Sequence, residues 1–186
     1  MRVWISCSAN DVREVYIRAA RRLAALLAEA GHTIVYGGVD LGLMKVIADE
    51  AQRHGGKLIG VSMEQIKLFN RPDIDEIINA KDLAERKAIL LQRCDAIIVL
   101  VGGIGTLDEA TEMIEHRGRN RHRKPIIIVN TDGYYYGLRT QLARMEREGF
   151  LPAAELGEQH SAALARLVRF VATPDLALSA LADDAP

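Results

Sequence analysis

The chain has 186 residues, with 24 Lys and Arg against 25 Asp and Glu, a net charge of -1 and an isoelectric point near 6.5. That length suits one domain with a core of its own, and the balanced charge removes any long-range attraction to nucleic acid or an anionic membrane, so a basic site must be local. Cys7 and Cys94 each sit in an apolar or motif segment, which speaks for free thiols in a reducing compartment and against a disulfide framework. No apolar run approaches the ~18 residues of a membrane span, and the chain enters its first strand without a leader of signal length. The expectation is a soluble cytoplasmic protein with no membrane partner.

In chain order, Val3 to Ser6 reads as a strand and Val12 to Ala30 as a helix, with apolar residues recurring every three or four positions up to Gly31. Thr33 to Tyr36 is the next strand, followed by a helix from about Leu43 to His54 closed by Gly55. Leu58 to Val61 is a third strand, Leu83 to Arg93 a helix, and Ala96 to Val101 the most apolar strand. A helix follows Thr106, Pro125 to Asn130 is a strand, and Leu138 to Glu148 is a helix closed by Gly149. One more helix, roughly His160 to Val171, leads to Pro174. This alternation predicts a mostly parallel α/β sheet, and strands too apolar to alternate place helices on both faces. The domain is expected over residues 1–176, with 177–186 as a tail that carries no motif.

In open parallel sheets ligands bind beyond the carboxyl ends of the strands, and three of those ends carry unusual residues. Cys7-Ser8-Ala9-Asn10 follows the first strand. Gly37-Gly38, then Gly42-Leu43-Met44, follows the second. Gly102-Gly103-Ile104-Gly105-Thr106 follows the apolar strand and opens a helix. Glycines let backbone N–H groups approach a phosphate, and a helix start adds unpaired donors and a positive dipole end. The loop is neither a dinucleotide fingerprint, since Asp108 stands where the last glycine belongs, nor a Walker A loop, since no Gly-Lys-Ser/Thr follows.

Two further segments admit structural readings. Thr106-x-x-Glu109 fits a capping box, in which Glu109 would reach back to the Thr106 N–H; a functional Glu109 requires its side chain to face the crevice instead. Asp82-x-x-Glu85 also reads as a helix start, with Arg86 and Lys87 just inside it. Cations there oppose the dipole unless an anion is near, or else Asp82 and Arg86 form a solvated pair. From His116 to Lys124 the chain has five Arg and Lys residues without interleaved aromatics. That composition is a poor nucleic-acid platform and fits a solvated or subunit-contacting loop. Ser8 lacks a nucleophile-elbow context, and the five histidines lack metal-ligand spacing.

Taken together, Tyr36-Gly37-Gly38 with Gly42-Leu43-Met44, Glu85-Arg86-Lys87, Gly102-Gly103-Ile104-Gly105-Thr106 with Glu109, and Lys124-Pro125 leading to Asn130-Thr131-Asp132-Gly133-Tyr134-Tyr135 resemble the Lonely Guy family. Those proteins are cytokinin riboside 5'-monophosphate phosphoribohydrolases, and many relatives carry the label lysine decarboxylase. Here no lysine stands in a recognisable pyridoxal phosphate context. The resemblance implies a single-domain, Rossmann-like homodimer that splits a nucleoside 5'-monophosphate, AMP or an N6-modified AMP, into base and ribose 5-phosphate without metal or organic cofactor. It implies Arg86 and Glu109 as the catalytic pair. It also places the 5'-phosphate on Gly102, Gly103, Ile104, Gly105 and Thr106, and the rest of the substrate near Ser8, Gly37, Gly38, Leu83 and Lys87. The chain departs from the family at Val101, where proline is usual, at Leu83-Ala84, where Met-His is usual, and in the basic run before Pro125. The alternative is a non-catalytic nucleotide or molybdenum-cofactor binding protein of the same fold.

Overall fold

The computed structural model describes residues 1–151 and 163–183. Strands β1 (Arg2–Ser6), β2 (Thr33–Tyr36), β3 (Lys57–Met63), β4 (Glu76–Ala80), β5 (Ala96–Val99), β6 (Ile126–Val129) and β7 (Arg169–Val171) form one seven-stranded sheet in the order β4-β3-β2-β1-β5-β6-β7. Every ladder is parallel. The strand order reverses between β1 and β5, which pair through Val3 with Ala96 and Ser6 with Val99. That reversal opens a crevice at the carboxyl ends of the two strands.

Helices α1 (Glu14–Glu29), α2 (Gly42–Arg53), α3 (Leu83–Arg93), α4 (Ile104–Gly118), α5 (Tyr136–Arg147), α6 (Ala163–Leu167) and α7 (Pro174–Asp183) cover both faces. On one face Val3, Ile5, Ile34, Ile98 and Ile127 pack against Leu23 and Leu27 of α1, Ile47 of α2 and Leu181 of α7. On the other, Trp4, Val35, Ile97, Val99 and Ile128 pack against Leu90 of α3, Met113 of α4, Leu142 of α5 and Leu167 of α6. Each large aliphatic side chain fully buried in these layers contributes about 1.5 to 3 kcal/mol. The near-continuous apolar strands noted in the sequence are the consequence of this double coverage.

Three expectations are corrected. The helix foreseen from His160 to Val171 is α6 only to Leu167; Arg169–Val171 is β7, which takes the open edge of β6 through Ile127, Ile128 and Val129. Residues 160–162 of that helix lie outside the described residues. Strand β4 was not foreseen, because its exposed edge position leaves Glu76-Ile77-Ile78-Asn79-Ala80 half polar. Residues 177–183, set apart above as a tail, belong to α7, whose Ala177, Ala180 and Leu181 are buried.

Candidate active site

At the strand reversal, the loop after β1 meets the start of α4. The Ser8 N–H donates to the Val101 carbonyl at 3.1 Å, and the Ser8 Oγ accepts from the Asn10 N–H at 2.9 Å. Gly42 joins the second glycine segment to this loop. Its φ is +51°, and a Cβ there would lie 2.4 Å from the Ala9 carbonyl, so no other residue fits. The result is a crevice of about 320 Å³, lined by the Cys7 to Asn10 loop, Met44, Arg86, Glu109 and the Gly103 to Thr106 turn.

Helix α4 begins at Ile104, three residues earlier than the Leu107 start that a capping box with Thr106 as N-cap needs. Gly103 is its N-cap and supplies no side-chain hydrogen bond. The first amides of a helix have no intrahelical acceptor, so those of Ile104, Gly105 and Thr106 open onto the crevice with the positive end of the dipole behind them. Gly102 makes this turn possible: a Cβ there would lie 2.0 Å from Thr106 Oγ1 and 2.5 Å from Thr106 Cβ. Tyr134 and Tyr135 brace the strand end from outside, donating to the Gly102 carbonyl at 2.6 Å and the Leu100 carbonyl at 2.8 Å.

Glu109, one turn along α4, is buried and faces the crevice floor. Its Oε1 accepts from Arg86 Nη1 at 3.0 Å, and its Oε2 accepts from the Ser6 hydroxyl. The capping-box reading of Thr106 and Glu109 is thereby excluded. Arg86 is equally buried; its Nε donates to the Val61 carbonyl at 2.9 Å, and its Nη2 sits so near Gly37 that a Cβ there would lie 2.6 Å from it. Asp82 does not hold Arg86 in a solvated pair. It caps α3, accepting from the Glu85 N–H at 2.8 Å, while Glu85 accepts from the Lys81 N–H at 2.7 Å. The cation that opposes the α3 dipole is thus held by the carboxylate of α4. Cys7, fully buried beside this pair, has a thiol pushed far above its usual range by burial and by the Glu109 carboxylate.

A family model described as "Possible lysine decarboxylase" matches residues 44–169. Cytokinin riboside 5'-monophosphate phosphoribohydrolase LOG5 of Arabidopsis thaliana is 34% identical over 157 residues, 83% of this chain and 69% of that protein. The cytokinin riboside 5'-monophosphate phosphoribohydrolase of Mycobacterium tuberculosis is 33% identical over 151 residues, 80% of this chain and 81% of that one. The chain belongs to the Lonely Guy family. Among solved structures, the molybdenum cofactor binding protein of Rippkaea orientalis is similar with a TM-score of 0.73 over 98% of this chain and 95% of that chain. At 18% identity, that likeness is one of fold.

Within this Lonely Guy chain the expected site residues divide. Ser8, Arg86, Gly103, Ile104, Gly105, Thr106 and Glu109 line one crevice, with Gly102 beneath the turn and Gly37 behind Arg86. Gly38 packs instead on β3, where its Cβ would meet the Gly60 Cα at 3.2 Å. Leu83 is exposed at the start of α3 and is not among the crevice residues. Lys87 follows Arg86 but is turned about 100° around the helix; it pairs with Asp108 at 2.9 Å and with Glu112, and lines a separate groove with Leu91, Met113 and His122. The basic run closes that groove: Arg117 donates to the Lys124 carbonyl at 2.8 Å, Lys124 to the Leu91 carbonyl, and His122 to the Met113 carbonyl at 3.0 Å. Ser6 was missed as a site residue, its only signal being one hydroxyl in an apolar strand. Among the described residues no helix is long and apolar enough to cross a membrane, and no group of three His, Cys, Asp or Glu is placed to hold a metal ion.

Proposed function

We propose that this protein hydrolyses the N-glycosidic bond of a nucleoside 5'-monophosphate, AMP or an N6-modified AMP, to the free base and ribose 5-phosphate. The observation that carries the reading is the buried Arg86–Glu109 pair, 3.0 Å apart, one turn inside the uncapped start of α4. The free amides of Ile104, Gly105 and Thr106 suit a dianionic phosphate, and the glycine turn lets it approach the backbone. With the phosphate there, the ribose lies over Glu109. As the bond to the base breaks, positive charge grows on the sugar; a fixed carboxylate in a site shielded from water stabilises that charge and orients the attacking water. The water's hydroxyl joins the sugar carbon and its proton leaves with the base. Arg86 keeps the carboxylate in place through a planar donor set that lysine lacks.

A phosphate binder without turnover has no use for a carboxylate beside its anion, which favours the enzyme over the carrier alternative. The family resemblance extends the reading to a homodimer, and the basic run from His116 to Lys124 is the segment assigned to contact with the second copy. Loop substitutions that change neither assembly nor turnover would remove that part. The activity test is incubation of the pure protein with AMP, N6-isopentenyl-AMP, CMP, GMP and UMP, following free base by chromatography. Release of base from the adenine nucleotides, lost in Glu109→Gln and Arg86→Ala, is the expected result. Tight binding with no base released would point to the carrier.

A further inference from the structure

We propose that Ser6 is a positioning residue for Glu109, an assignment that rests on the hydrolase reading above. Ser6 ends β1, is 2% exposed and is the residue whose hydroxyl meets Glu109 Oε2. Strand alternation puts it on the Trp4 face of the sheet, paired with Val99 of β5, in a layer that also holds the apolar Val35, Ile97, Ile126 and Ile128. A hydroxyl in such a layer is costly unless it is bonded. A carboxylate only accepts, so the Ser6 hydroxyl is the donor, and its proton is committed to Glu109.

The consequence is geometric. The terminal torsion of a glutamate is broad, so a single partner leaves the carboxylate free to swing. Here Arg86 on α3 holds Oε1 and Ser6 on β1 holds Oε2, so both oxygens are fixed by elements that meet at the strand reversal. Ser6 is not among the residues lining the crevice. It therefore acts on the orientation of Glu109 during the reaction and leaves nucleotide binding to the residues around it. Ser62 on β3 provides a matched control, being fully buried with a hydroxyl that has no partner among the described residues.

The test compares AMP hydrolysis by wild type, Ser6→Ala, Ser6→Thr and Ser62→Ala, with melting temperatures recorded for each. Ser6→Ala should lower kcat about tenfold, the size expected for losing a hydrogen bond to a charged group, while KM stays within about twofold. Ser6→Thr, which keeps the hydroxyl, should recover most of the rate, and Ser62→Ala should match wild type. An unchanged kcat in Ser6→Ala, or a fall shared by Ser62→Ala, would overturn the assignment. Should wild type release no base at all, the hydrolase reading is what fails. The Ser6 contact is then judged by the melting temperatures of Ser6→Ala, Glu109→Ala and the double variant, where non-additive losses uphold the pairing and additive losses refute it.

Discussion

The starts of α3 and α4 carry the same sequence pattern, Asp82-x-x-Glu85 and Thr106-x-x-Glu109, and use it in opposite ways. At α3 the pattern closes the helix: Asp82 accepts from the Glu85 N–H, Glu85 covers the Lys81 N–H, and both side chains are spent on the backbone. At α4 three extra residues, Ile104, Gly105 and Thr106, lie inside the helix, Gly103 takes the N-cap, and Glu109 falls on the second turn. There it turns inward to Arg86 and Ser6. A closed helix start is structure, whereas an open one with a buried carboxylate behind it is a place for an anion and for chemistry.

Glu109→Gln tests this contrast most severely. Removing the charge while keeping the shape should reduce base release by about a thousandfold or more, in line with the loss of a preorganised electrostatic group. A Glu85→Gln variant at the equivalent position of α3 should leave turnover near wild type, and a steady-state rate comparison of the two decides it. Gly102→Ala comes next, because its Cβ would collide with Thr106 and push the turn out of place. Overpacking of this kind costs about 1 to 3 kcal/mol, and the expected readouts are a lower melting temperature together with a raised KM for AMP. The smallest effects separate the two helix starts directly. Asp82→Ala should cost about 1 kcal/mol of stability through the lost cap, a drop of about 2 to 4 °C in melting temperature, and leave AMP affinity unchanged. Thr106→Ala should do the reverse, weakening AMP binding measured by calorimetry without lowering the melting temperature by as much.

The same contrast shows what was legible in the sequence. The apolar runs of β1, β2, β3, β5 and β6 announce themselves because both faces of the sheet are covered, and the helices between them announce themselves by period. Strands β4 and β7 do not, since an edge strand buries half its residues and β7 has three, Arg169, Phe170 and Val171, whose apolar spacing continues that of α6. At the site, the glycine turn and the acid beyond it are visible as a pattern, but Thr106 and Glu109 leave cap and catalysis undecided. The helix start, set by Gly103 and the fit of Gly102 against Thr106, resolves them. Lys87 shares a sequence neighbourhood with Arg86 and yet faces away, a consequence of helical rotation that adjacency in the sequence conceals. Ser6 is silent because its partner lies 103 residues further along the chain.

The most direct measurement is a product assay of AMP and N6-isopentenyl-AMP with wild type and Glu109→Gln side by side, quantifying base, ribose 5-phosphate and remaining nucleotide. The account predicts base and ribose 5-phosphate in equal amounts from wild type, and intact nucleotide from Glu109→Gln. Nucleotide bound and recovered whole from both proteins would contradict it and leave the open start of α4 as a binding site alone.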